Sequence, residues 1–584
     1  MNSTRKLLAY TKPYQFFMML APLLMALEVT MDLLQPFMMQ KIIDSGIAND
    51  DMSYVVKMGV LMAGAAVVGL ACGMGCTIYS TRASVNTATD IRRDVYKQIG
   101  QFLDENRNVM GTGKLLTIVT SDISLIQTAI MMTLRSFVRG PLLFIGSSVI
   151  VFFQAPELFP ILLVLIPILL FFIIFLSRKA GGWFSKVQEG IDRLNTKLQE
   201  SITGIRVVKA FVRRDYEISL FQQVNNSLTK TTITAEQIIT VMMPASMFVI
   251  NIGMVVSLLM GVIQVNGDTV QVGVILAFIN YLNIILMALT SSSMVIMQLM
   301  RAFPSAGRIQ QVLETENHIQ TTGQPESTSG VKESIEFRNV SFSYSQNGEQ
   351  VLKNISFTAL KGEKIGIIGP TGSGKTTLGK LLPRLYDTAQ GEILFDGVNI
   401  KNIKPDSLRA SIGYVTQKPL LFSGSIERNL RFGNSSSSDE ELTKASRQAC
   451  AAEFIERFED RFGHRLTQGA SNLSGGQKQR LALARAFVRK PSILVLDDAS
   501  SALDAASEAV VLEALKSDFK ETTTFMIASK ISSIIDADRI LVLDDGKIAG
   551  CGTHSELLEG CPLYQEIYST QVKKGGKAVG SASK

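Results

Sequence analysis

The run Gly369-Pro370-Thr371-Gly372-Ser373-Gly374-Lys375-Thr376 fits the pattern G-x-x-x-x-G-K-[ST] and follows an apolar stretch, 364–368, that reads as a strand. Glycines let a backbone curl until its N–H groups point inward at phosphates. Lys375 would supply charge to the β and γ phosphates and Thr376 a hydroxyl for Mg²⁺, with Thr377 next in line. Alone, the pattern says that a nucleoside triphosphate binds. A glycine-rich turn with no ligand is the weaker reading, because strand and helix flank the loop as that chemistry requires. A second apolar stretch, 492–496, ends in Asp497, a carboxylate expected beside the strand of the loop, where it would hold Mg²⁺ through its water shell. Between them, Leu473-Ser474-Gly475-Gly476-Gln477 opens a helix expected over 478–489. Free N–H groups and the positive end of the helix dipole make such a start an anion site. The chain already has a loop for its own phosphates, so this second site is expected to face a different ATP.

The elements that must carry these residues follow from length and composition. At 584 residues the chain should divide into at least two domains. A hydrophobic content of 46% with a mean hydropathy of +0.23 points to a membrane portion. The net charge of +7 does not imply nucleic acid, because the basic residues cluster beside apolar runs. The five cysteines, Cys72, Cys76, Cys450, Cys551 and Cys561, form neither a CxxC pair nor a disulfide framework. Cys72 and Cys76 share a helical face and read as small packing residues.

Six stretches are long enough to cross a bilayer: 13–39, 56–79, 134–154, 158–176, 241–265 and 272–300. The first lacks a convincing small-residue cleavage site and exceeds signal length, so an uncleaved helix is expected. The connections at 155–157 and 266–269 carry no Lys or Arg, and the first connection is acidic through Asp44, Asp50 and Asp51. The long segments after the second and fourth helices hold Arg82, Arg92, Arg93, Lys97, Arg178, Lys179 and Lys186, which puts both termini in the cytoplasm. These segments, 80–133 and 177–240, are amphipathic and poor in breakers apart from 110–114 and 204–206, so helices should project beyond the membrane. Residues 316–334 read as a linker, and alternating strands and helices begin at Ile335.

A P-loop, an LSGGQ signature and a Walker B aspartate in this order, behind six spans, resemble an ATP-binding cassette (ABC) transporter of the exporter type over all but the tail after Gln571. The resemblance implies an α-helical six-span membrane domain at 1–315, a linker at 316–334, an α/β P-loop nucleotide-binding domain with a helical subdomain at 335–571 and a flexible tail at 572–584. It implies two cassettes paired head to tail, each ATP lying between one P-loop and the opposite LSGGQ, in a multi-pass protein of the cell membrane that works by alternating access. Tyr344 should then stack on adenine. Gln417 should sense Mg²⁺ and the membrane domain, and Ser501-Ala502-Leu503-Asp504 should contact the opposite site. Regions 110–123 and 205–214 resemble the coupling helices of such transporters. The bland alternatives are a strand aromatic for Tyr344 and a solvated loop residue for Gln417, while His318, His464 and His554 read as surface or turn residues.

The departures from the family pattern carry the mechanism. Members that hydrolyse ATP efficiently have Glu after the Walker B aspartate, whereas this chain has Asp498. An aspartate is one methylene shorter, so its carboxylate sits back by about 1.5 Å from a water that Glu would hold at ~3 Å. A ~1 Å displacement can cost on the order of a hundredfold in rate. Ser529 stands where the family has its switch histidine, and Thr467-Gln468-Gly469 replaces the usual Gly-Glu-Arg before the signature. The resemblance is therefore to the degenerate-site half of heterodimeric bacterial multidrug exporters, with a partner half-transporter that supplies the catalytic Glu and switch His. Two other readings are a homodimer using Asp498 as base and a regulatory membrane subunit that binds ATP without pumping. Glu28 and Asp32, four apart on the first span, would attract a cationic compound if they face the cavity, or lie near the outer interface at little cost. The many methionines of the last two spans suit a promiscuous apolar pocket, although packing or lipid contact explains most such residues. The expected partners are the second half-transporter, membrane lipid and an amphipathic small molecule, with no nucleic acid.

Overall fold

The computed structural model describes residues 6–102, 104–266, 270–315, 333–344 and 348–579. The expected linker lies outside them but for its last two residues, as do His318 and most of the connection expected at 266–269. Two compact units emerge, Met1–Gly100 with Thr112–Thr315 and Gln101–Gly111 with Glu316–Lys584.

Among the described residues of the first unit, six helices are long and apolar enough to cross a membrane: Lys6–Ile47, Met52–Gly100, Thr112–Gln154, Phe159–Thr203, Arg214–Val265 and Val272–Ser292. With no water inside a bilayer to satisfy backbone groups, an apolar stretch must stay helical until it leaves the hydrocarbon. Here the polar sequence that follows is also poor in breakers, so single helices carry both a span and its extension. Met52–Gly100, at 49 residues, reaches about 74 Å against a hydrocarbon layer of ~30 Å. The helical path breaks at 101–102 and again at Gly111, whose φ is +75°. Between these breaks lies the short helix Asp104–Met110, so the interruption starts earlier than the expected 110–114. The second interruption brackets Ile205–Ala210 between Gly204 and Val212, the latter at φ +53°.

Small residues let these helices approach. A Cβ on Gly146 would lie 2.4 Å from Leu33, and one on Gly253 would lie 2.2 Å from Leu165. Cys72 and Cys76 are both buried. Tyr281 is buried and donates to the Leu33 carbonyl at 2.9 Å. Toward the other end of the last helix, Asp122 of the third span is 1% exposed and accepts two hydrogen bonds from Arg308, 2.6 and 2.7 Å, and one from Ser305 at 2.9 Å.

In the second unit a six-stranded sheet runs in the order 547–552, 539–544, 364–368, 523–527, 493–497, 412–415, parallel but for its first strand. A four-stranded antiparallel sheet stands beside it, ordered 352–360, 334–342, 390–395, 398–399. Helices Ile426–Arg431, Asp439–Gln448, Ala452–Ile455 and Gly475–Val488 form the helical subdomain around Leu430, Leu442, Phe454 and Leu483. Two details depart from the sequence reading. Strand Thr523–Ile527 lies between the loop strand and the strand of Asp497, so Asp497 is not beside the former. Helix Pro562–Val579 continues through 572–579, where a flexible tail was expected, because its apolar residues Leu563, Ile567 and Tyr568 pack on the core and the backbone ladder propagates beyond them.

Arg308→Met should destabilise the membrane unit by on the order of 3 kcal/mol, since it strands a buried carboxylate, whereas Asp122→Asn should cost less because Arg308 is partly exposed. Thermal unfolding in detergent would show the order, and equal shifts would contradict it.

Candidate nucleotide site

Strand Lys364–Ile368 ends at the glycine-rich loop, and helix Lys375–Leu381 begins directly after it. The loop's two structural glycines are distinct in purpose. A Cβ on Gly369 would sit 2.0 Å from the Leu543 carbonyl, so the backbone can pass only without a side chain. Gly374 lies at φ +95°, where L side chains are strained. Lys375 folds back over the loop, its Nζ 2.7 Å from the carbonyls of Gly369 and Pro370. Burial holds this ammonium below the ordinary lysine range, opposed by the attraction of Asp498 and Asp497.

Thr376 donates its hydroxyl to Asp497 at 2.9 Å, which joins the loop helix to the second strand across the intervening one. Burial raises the Asp497 carboxyl above the usual carboxylate range, against the hydrogen bonds of Thr376 and Tyr414. Tyr414 reaches Asp497 at 3.3 Å, a contact that no sequence spacing indicated. Asp498 takes φ +52°, a left-handed conformation that Asp and Asn tolerate better than most residues. Its Oδ2 accepts from Gln417 at 3.3 Å. Tyr344 is 41% exposed and its hydroxyl lies 2.9 Å from that of Thr377, with its ring edge-on to Phe342 and Tyr386.

The signature helix starts at Gly475, three residues before the expected 478. Ser474 and Gln477 form a capping box, with Ser474 N donating to Gln477 Oε1 at 2.8 Å and Gln477 N donating to Ser474 Oγ at 3.3 Å. The S-x-x-Q spacing carried that signal in the sequence. Gly475 remains open around its Cβ position, while a Cβ on Gly476 would lie 3.1 Å from the Ala502 carbonyl. Leu473 is buried and anchors the turn. In the following loop, Ser501 donates to the Asp498 carbonyl at 2.8 Å, and Leu503 is buried. Asp504 caps the next helix by accepting from Ser507 N at 2.8 Å.

Ser529 is exposed, and its loop is held by a residue that the sequence did not single out. Gln571, on the helix Pro562–Val579, donates to the Ser529 carbonyl and accepts from Ile531 N, both at 2.9 Å. Ser500 donates to Ser533 at 3.0 Å, and Ser533 in turn bonds Glu508, which ties the loop after Asp498 to the loop of Ser529. Among the described residues, no group of three or more His, Cys, Asp or Glu side chains could hold a metal ion by itself. In the membrane unit, Glu28 and Asp32 are both paired with Arg139, another partner that their spacing did not reveal.

Residues 18–289 match the model of the ABC transporter transmembrane region, and residues 352–501 match the ABC transporter model. An uncharacterised ABC transporter ATP-binding protein, YfiB of Bacillus subtilis, is 38% identical over 98% of this chain and 99% of its own length. Another, Rv1273c of Mycobacterium tuberculosis, is 33% identical over 96% and 97%. The fold is similar to that of a bacterial Atm1-family ABC exporter solved with ATP bound, with a TM-score of 0.79 at 24% identity, over 95% of this chain and 98% of that one.

Gln571→Ala should free the loop of Ser529 without unfolding the cassette. Loss of one net hydrogen bond, worth about 1 kcal/mol, corresponds to roughly fivefold faster amide exchange at Ile531. Unchanged exchange there would show that the loop is held by other means.

Proposed function

Because this chain belongs to the ABC transporter family and is a subunit of an ATP-driven exporter, we propose that it is the unequal half of a heterodimer in the cell membrane, with a slow ATP site of its own and a working signature for its partner's. The observation that carries this reading is the coexistence of an intact, open-faced signature start at Ser474 and Gly475 with Asp498 and Ser529 at the hydrolytic positions. In its own site, the N–H groups of 369–376 and the Lys375 ammonium take the phosphates, and Tyr344 turns from Thr377 to stack on adenine. The oxygens of Thr376 and Asp497 already meet, and with Gln417 they form the hard-donor set that suits Mg²⁺ brought in with the phosphates. That ion would neutralise phosphate charge. Asp498, set back by a methylene, orients water poorly, and Ser529 does not extend toward the γ-phosphate.

In the partner's site this chain contributes Ser474, Gly475, Gly476 and Gln477, whose helix start attracts the γ-phosphate of the other ATP. The loop Ser501-Ala502-Leu503-Asp504 packs against Gly476 and so links the two sites. Both termini face the cytoplasm, and the passenger is an amphipathic drug or lipid. A homodimer in which Asp498 is a weak base has one observation in its favour: Gln417 donates to the Asp498 carboxylate at 3.3 Å and so positions it.

Steady-state ATP hydrolysis separates the two. The chain alone should turn over negligibly, activity should rise when a half-transporter carrying Glu and His is added, and Asp498→Asn should change that activity less than about twofold. Strong turnover alone, falling on the order of a hundredfold in Asp498→Asn, would establish the homodimer. A pH titration gives a second check. The raised Asp497 must be ionised to hold a hydrated cation, so as pH falls from 7 the Mg²⁺-dependent part of ATP affinity should be lost before the pH of ~3.9 at which an ordinary aspartate takes up its proton. An affinity independent of pH over that range would remove Asp497 from the metal site.

A further inference from the structure

Arg139 of the third span donates from Nη1 to Glu28 Oε1 and from Nη2 to Asp32 Oδ2, both at 2.9 Å. Asp32 and Arg139 each stand sixteen residues before the connections that begin at Ala48 and Ala155, about 24 Å along the helix axis. In a hydrocarbon layer of ~30 Å counted from those connections, Asp32 and Arg139 lie clear of the outer interface, in the inner part of the span. Charges at that depth face protein or a water-filled cavity.

Such a cavity, of about 540 Å³, has Asp32, Gln35, Arg139, Asn280 and Asn283 as its polar wall. Met39, Met62 and Met287 supply apolar surface. Asn280 and Asn283 donate their amide N–H groups to the Leu276 and Ile279 carbonyls of their own helix, at 3.0 and 3.1 Å, which leaves their amide oxygens as acceptors. Asp32 gives one carboxylate oxygen to Arg139 and keeps the other. The guanidinium is shared between two carboxylates, and Arg135, one turn earlier, lines a neighbouring cavity with Glu28 instead. Thus the wall is rich in acceptors, and Arg139, the one cation among the described residues that line it, is already committed.

We propose that this cavity binds an amphipathic protonated amine, whose N–H groups donate to the open Asp32 oxygen and to the Asn280 and Asn283 amides while its apolar body rests on the methionines. The inference names the passenger class of the exporter reading above and rests on it. Binding is measured without nucleotide, so its outcome is independent of whether the ATP sites are unequal.

The test uses the full chain in lipid nanodiscs with radiolabelled propranolol, a secondary ammonium, beside its quaternary N,N-dimethyl and neutral N-acetyl derivatives. Propranolol should bind at least about tenfold more tightly than either derivative, and Asp32→Asn should cost about tenfold. The double variant Asn280→Leu/Asn283→Leu leaves the ion pairs intact and should cost about fivefold, which decides the matter if Asp32→Asn folds poorly. Binding of a fluorescent ATP analogue should be the same in every protein. Equal affinity for the amine and its quaternary derivative, or unchanged propranolol affinity in the double variant, overturns the proposal. Tight amine binding together with Asp498-dependent turnover of the chain alone would keep this site and discard the heterodimer.

Discussion

The nucleotide-binding unit is organised around a half-buried ammonium set before two carboxylates. Lys375 loses hydration by burial, and the loop carbonyls of Gly369 and Pro370 together with Asp497 and Asp498 offset that loss. Phosphate oxygens can take over this role, because they bring more negative charge into a space already lined with N–H groups. The same arrangement leaves Asp497 desolvated, with Thr376 and Tyr414 as its hydrogen-bond donors. Sheet order serves this geometry. Interposing Thr523–Ile527 between the two motif strands places the loop of Ser529 directly between P-loop and Asp497, so any movement there is felt by both.

What was legible in the sequence had its cause in contiguous residues. The glycine-rich loop, the signature and the six apolar stretches each depend on a few adjacent positions or on one helix-long stretch of composition. The contacts that went unread join residues distant in the chain: Asp122 with Arg308, Glu28 and Asp32 with Arg139, and Gln571 with the loop of Ser529. No periodicity reports such pairs, because they are decided by which helices pack together. Helix ends were misjudged for a local reason that was available. Ser474 and Gln477 already spelled a capping box, and weighing the cap above the apolar pattern would have started the helix at Gly475.

Asp498 shows how one residue type satisfies backbone and chemistry at once. The strand that ends at Asp497 must turn sharply, and the next residue adopts φ +52°. A short carboxylate is tolerated there, and its N–H is satisfied by the Ile527 carbonyl at 2.8 Å. The fold of the turn therefore does not require Glu. Only the reach toward a water does, and that is the reach that a missing methylene shortens.

The membrane unit solves a similar problem in a drier setting. Two carboxylates and one guanidinium at membrane depth would be costly on the lipid face, and the structure holds them across two helices with a cavity on one side. The side chain of Glu28 presses on Gly73, where a Cβ would lie 2.9 Å from its Oε2, so the second helix also depends on a small residue at this level. A cluster that needs close packing behind it and polar space before it is a poor stabiliser. Apolar residues of the same volume would hold the helices together at least as well, and the charges are better explained by what the cavity admits.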